Sequence, residues 1–145
     1  MKRLVPAIFL SALLPLQAHA AAGFSCATAE NERPKLVVEG ATPRSGGTLI
    51  NFGAVLEIED RKVEFKQSDV KRYFGKGGVI QVRISAKSGE NIYTVNVNAK
   101  RNPKDEDDWG GTYEVTIGPA AAKDKAKDKG SKKNVTRGAV KCFVE

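Results

Sequence analysis

Cys26 and Cys142 are the only thiols in this sequence, and His19 is its only imidazole. These three side chains bound the covalent and metal chemistry open to the chain. A thiolate attacks carbonyls and binds metals, whereas a cystine does neither. The compartment decides between the two, and the first 20 residues address it. Lys2 and Arg3 precede an apolar run from Leu4 to Leu16, and Ala18-His19-Ala20 places small residues before a cut. A basic start, a short apolar stretch and an A-x-A site form the pattern of a secretory signal peptide. The run is shorter than the roughly 20 apolar residues a transmembrane helix needs. Cleavage after Ala20 is expected, releasing residues 21–145 as a single exported β domain, periplasmic or secreted.

Cleavage removes His19, so the mature chain has no imidazole for a Ser-His-Asp or Cys-His mechanism, nor for a metal. In an oxidising compartment Cys26 and Cys142 are expected to pair. Closing a loop of that length stabilises by roughly 4–5 kcal/mol in the chain-entropy account. A lipid on Cys26 fits less well, because Gly23-Phe24-Ser25 lacks the leucine that lipoprotein signals place before their cysteine. With the thiols oxidised, zinc, haem and copper sites of the usual kinds are not expected, and neither is a cofactor.

Carboxylates are the remaining candidates. Asp105, Glu106, Asp107 and Asp108 cluster directly before Trp109. Calcium takes oxygen ligands at alternate positions, but Trp109 stands where the third ligand belongs, so no metal site is expected. These five residues are instead a candidate partner-binding tip, an acidic finger able to enter the cleft of a target enzyme. Trp109 is also in phase with Tyr113, Val115 and Ile117, which favours a core position for it. Glu57, Glu59, Glu64 and Glu114 fall on polar strand faces, without the apolar enclosure that would prepare a general acid. Ser68-Asp69-Val70-Lys71 matches S-x-x-K, but no S-D-N or K-T-G accompanies it. Gly75-Lys76-Gly77-Gly78 lacks the spacing of a phosphate loop. Asn134-Val135-Thr136 is a sequon, incidental behind a bacterial-type leader.

The elements that position these residues follow from a period-2 alternation. Ile50, Phe52, Ala54, Leu56 and Ile58 alternate, then Val63 and Phe65 after a turn at Asp60-Arg61. This turn opposes Ile58 to Val63. A second hairpin joins Ile80–Ala86 to Tyr93–Ala99 through Ser88-Gly89, opposing Ile84 to Tyr93 and Val82 to Val95. Strands are also expected over 35–40, 109–117 and 140–144. Ser68 to Phe74 reads as a short helix, capped by Ser68 and stopped at Gly75. The expected fold is all-β: an antiparallel small barrel or sandwich of about seven strands with one short helix, closed by a terminal disulfide.

Residues 119–134 stand apart as a lysine-rich loop without an apolar face. Lys123, Lys125, Lys127, Lys129, Lys132 and Lys133 form either a solvated excursion or a basic arm for an acidic partner. The formal charge of +7 loses Lys2 and Arg3 with the leader, leaving +5. The function expected is binding rather than catalysis. A monomer would dock through its end loops on a protein or polysaccharide of the envelope or extracellular space, with inhibition of a secreted hydrolase as one form. A carrier with an apolar ligand inside the barrel is the alternative. Nucleic acid fits least, given export and the lack of interleaved aromatics.

Overall fold

The structure is a computed structural model that describes residues 21–43, 48–120 and 133–145. The expected signal peptide lies outside the described residues, as do Lys123, Lys125, Lys127, Lys129 and Lys132. Nine strands run in chain order: β1 Ala21–Ala27, β2 Lys35–Pro43, β3 Ile50–Ile58, β4 Arg61–Lys66, β5 Val70–Lys76, β6 Val79–Ser88, β7 Asn91–Asn102, β8 Asp105–Pro119 and β9 Asn134–Val144. They form one antiparallel sheet in the order β4-β3-β2-β1-β9-β8-β7-β6-β5, nearly closed into a barrel.

Eight antiparallel pairings link nine strands, so the two outermost, β4 and β5, run in the same direction. They are consecutive in the chain and separated only by a 3-10 turn, Gln67–Asp69. Together they form one kinked stave whose first half pairs with β3 and whose second half pairs with β6. The barrel therefore has eight staves, a number whose interior side chains can fill. They do fill it: Leu36, Val38, Leu56, Ile84, Val95, Val97 and Val115 are wholly or almost wholly buried, and no polar residue joins them among the described residues.

At the kink the strand ladder is interrupted, and a side chain replaces it. The Gln67 carboxamide accepts a hydrogen bond from the Phe52 N–H at 3.0 Å and donates one to the Leu49 carbonyl at 2.5 Å. The Asp69 carboxylate accepts from the Lys66 N–H at 2.8 Å and closes the turn. Farther along, Tyr73 stacks on Phe24 with ring centroids 5.9 Å apart, and its hydroxyl lies 3.5 Å from that of Thr42. These contacts tie β5 to β1 and β2 where no backbone ladder does.

The other end of the sheet closure is covalent. Cys26 and Cys142 are direct cross-strand partners in β1 and β9 and form a disulfide. That ladder has only four registered pairs, Phe24–Ala27 against Lys141–Val144.

Several expectations are corrected. The strands number nine, because the small-residue segment Ala21–Ala27 and the segment Val70–Lys76 are both strands. The expected helix over Ser68–Phe74 shrinks to the 3-10 turn, and Ser68 does not cap it. Tyr73 faces the interior while Arg72 and Phe74 face out, an alternation that pairing with β6 rewards and a helix would scramble. Both expected hairpin registers shift by two residues. Glu59 and Asp60 take positive φ at the first tip, so Ile58 faces Arg61 and Leu56 faces Val63. Gly89 takes it at the second, so Ile84 faces Val95 and Val82 faces Val97. A shift of two preserves which face is buried, which is why the apolar pattern cannot detect it.

Replacing Gln67 by Ala leaves a backbone donor and an acceptor unpaired, at an expected cost of about 1–3 kcal/mol. Urea unfolding measures this, and an unchanged midpoint would show that water substitutes for the carboxamide. Replacing both cysteines by Ala is expected to cost about 2–5 kcal/mol in guanidinium unfolding. A cost below about 1 kcal/mol would mean that the four-pair ladder suffices alone.

Candidate functional site

Side chains of β5–β9 that cannot enter the filled interior line up on its outside in register rows. One row runs Arg72, Arg83, Asn96, Glu114, Arg137 across five strands. The next runs Phe74, Gln81, Asn98, Thr112, Ala139. The third runs Lys76, Val79, Lys100, Gly110, Lys141. The rows are about 7 Å apart along the strands, and neighbouring strands are about 4.8 Å apart. An amide and hydroxyl row is thus flanked by two cationic rows.

The surface they form carries two open grooves. A groove of about 670 Å3 lies over the first two rows, and one of about 430 Å3 lies over the second and third. Gln81, Asn98 and Thr112 line both. Glycines deepen it: Gly110 adds no side chain to the outer face, and nothing crowds the space above it. On the inner side Gly111 lets β7 and β8 approach, since a Cβ there would meet the Asn98 carbonyl and lie 2.6 Å from the Ala99 Cα. Gly138 makes room for Tyr113, whose ring would lie 2.6 Å from a Cβ at that position.

The electrostatics are one-sided. The three rows carry six cationic side chains, Arg72, Arg83, Arg137, Lys76, Lys100 and Lys141, against the single carboxylate of Glu114. Glu114 is bound to Arg137, with Nε and Oε2 2.7 Å apart. None of the other five cations forms an ion pair with a described carboxylate. Arg72 and Arg83 are direct cross-strand neighbours, an arrangement of like charges that works against the sheet.

The acidic cluster lies elsewhere. Asp105 to Asp108 are not in a loop but open strand β8, in an irregular stretch between the pairs Asn102–Asp105 and Arg101–Trp109. All four are exposed. The Asp108 carboxylate accepts from the Asn102 amide at 3.0 Å, Asp105 accepts from the Asp107 N–H at 3.1 Å, and Glu106 lies 3.9 Å from Arg101. Their carboxylates do not converge, and among the described residues no group of acidic, histidine or cysteine side chains is placed to hold a metal. Trp109 parts from them, buried at 9% exposure as the cross-strand neighbour of Cys142. Lys133 is exposed at the approach to β9.

Other candidates disperse too. Glu57, Glu59 and Glu64 are exposed, with Glu64 3.0 Å from Lys62. Gly77 and Gly78 form the positive-φ turn between β5 and β6. Ser68 and Lys71 are both exposed on the kinked stave.

Sequence reasoning misses the groove for a definite reason. With Ser88-Gly89 as the turn, Arg83 would face Thr94 and Gln81 would face Asn96. The observed register puts Arg83 beside Asn96 and Gln81 beside Asn98. The signal that could have found the rows is the succession of amides and cations at outward positions of four strands. Compared with known proteins, the chain matches no protein-family model, no curated protein and no solved structure.

Beneath the groove, burial pushes the Tyr113 phenol above the usual tyrosine value of 10.0, with the Glu32 carboxylate adding to the shift. The folded state therefore holds this proton longer than the unfolded chain does. Stability from this group is level below about pH 10 and falls as pH rises through the folded value. Between about pH 8 and pH 11 the wild type should lose more unfolding free energy than Tyr113→Phe. Equal losses in urea titrations would count against this burial effect.

Proposed function

We propose that the mature chain, residues 21–145, is an exported, non-enzymatic binding protein that docks on a macromolecular partner across the outer face of β5–β9. The observation that carries this reading is the outer face itself, three rows of polar and cationic side chains with five cations outside any ion pair with a described carboxylate, of which Arg72, Arg83 and Lys100 line its grooves. Charged surfaces of one sign concentrate oppositely charged partners and speed their association. A surface that serves stability alone gains nothing from setting Arg72 against Arg83.

Export is supported by the disulfide, which persists in oxidising compartments. No helix among the described residues is long and apolar enough to cross a membrane. The barrel's apolar inside and polar groove face are the reverse of a membrane barrel's arrangement. A binding role is preferred to hydrolysis because the strand glutamates sit in water or, for Glu114, in an ion pair on the outer face. It is preferred to an apolar-ligand carrier because side chains occupy the interior. Docking through the outer groove is preferred to docking through Asp105–Trp109, where Trp109 is buried and Asp105 and Asp108 are engaged locally.

Photo-crosslinking in the native envelope tests the face. A benzoyl-phenylalanine placed at Gln81 or Asn98 should capture a high-mass partner, and one placed at Glu57, outside the groove, should not. Equal capture at all three positions, or capture at Glu57 alone, would remove the groove from the function.

A further inference from the structure

We infer that the partner of this groove is an acidic polysaccharide, its sugar rings lying along the amide row and its anionic substituents reaching the cationic rows on either side. This rests on the docking reading above and names the ligand class for the same surface.

The chemistry of the middle row carries the inference. Gln81 and Asn98 carboxamides each donate and accept, and the Thr112 hydroxyl does both. Sugar hydroxyls also donate and accept, so a row of such groups matches a polyhydroxyl ligand in a way a row of lysines cannot. Phe74 ends this row on the edge strand, 45% exposed, and offers a flat apolar face to the C–H side of a sugar ring. The flanking rows require the ligand to be anionic. Arg72 and Arg83, side by side, can hold one carboxylate or sulfate between two planar guanidinium forks. Lys76, Lys100 and Lys141 occupy alternate strands, about 10 Å apart, and meet repeating charges as point cations.

Other macromolecules fit this surface less well. Single-stranded nucleic acid is held by several aromatic platforms in succession, and Phe74 is the sole aromatic in the three rows. A protein partner would seek an apolar centre with a polar rim, whereas here the centre is amide and hydroxyl.

The test measures binding of the mature protein to polygalacturonate, dextran sulfate, neutral dextran and duplex DNA at physiological ionic strength. Polygalacturonate or dextran sulfate should bind and weaken as salt rises, whichever binds more tightly marking the substituent as carboxylate or sulfate ester. Neutral dextran should not bind, and DNA should bind at least tenfold more weakly. Arg72→Gln with Arg83→Gln should lower the affinity about tenfold or more, with the melting temperature unchanged or raised as their repulsion is relieved. Gln81→Ala with Asn98→Ala, which alters no charge, should lower it severalfold. Deleting residues 121–132 should lower it less than either pair.

Binding by neither acidic polymer overturns the inference. So does DNA binding of equal strength, or an affinity that survives Gln81→Ala with Asn98→Ala, since either reduces the contact to bulk charge. If crosslinks at Gln81 persist in that event, the docking reading stands and only the glycan is wrong. If they vanish as well, both fall.

Discussion

The pairing of β1 with β9 turns a meander into a cylinder. Every other strand pair joins neighbours in the chain, through connections far shorter than the span from β1 to β9, so their closure costs less entropy. The Cys26–Cys142 bond instead joins segments 116 residues apart, across a ladder of four pairs. A short ladder returns little hydrogen bonding against the entropy of closing so long a loop. The covalent link removes much of that cost from the unfolded side. Trp109 packs as the neighbour of Cys142 in β8, so the closure lies against the largest aromatic in the chain.

Once the cylinder is closed at one seam, the other can be imperfect. Because β4 and β5 run in the same direction, they cannot form an antiparallel ladder with each other, and the chain kinks between them. Gln67 supplies a donor and an acceptor to the backbone of residues 49 and 52, acting where a strand would. The seam thus relies on side-chain hydrogen bonds and the stacked pair Tyr73–Phe24. The edge stave produced this way is the one that carries Arg72 into the groove lining and Phe74 beside Gln81 at the end of the amide row.

Inside and outside divide the labour. Inward positions are dictated by volume, and they accept only apolar side chains. Outward positions on β6, β7 and β8 carry little packing demand, so their identities are free to answer to a partner. The concentration of cations on the outer face costs the sheet some like-charge repulsion, as between Arg72 and Arg83, which the proposed docking role would offset. The acidic group at Asp105–Asp108 falls on the same hairpin but at its tip, and engages Asn102 and Arg101 rather than the groove.

The amino-acid sequence alone determined the strand character of most segments, the buried face of each and the pairing of the two cysteines, because these depend on alternation and on residue type. It also places Trp109 in phase with the core, where it lies. Ala21–Ala27 and Val70–Lys76 escape such reading: apart from Phe24 the first is built of small residues and pairs only with β2 and β9, and the second has local preferences that suit a helix as well as a strand. Only the tertiary structure decided the registers. Adjacent turn residues can each accept positive φ, and a slip of two leaves every apolar side chain inside, so composition is blind to it. The groove depends on four such registers being right at once. Its rows are a property of the assembled sheet, in which Arg72 and Arg137 lie 65 positions apart in the chain yet share one line across five strands.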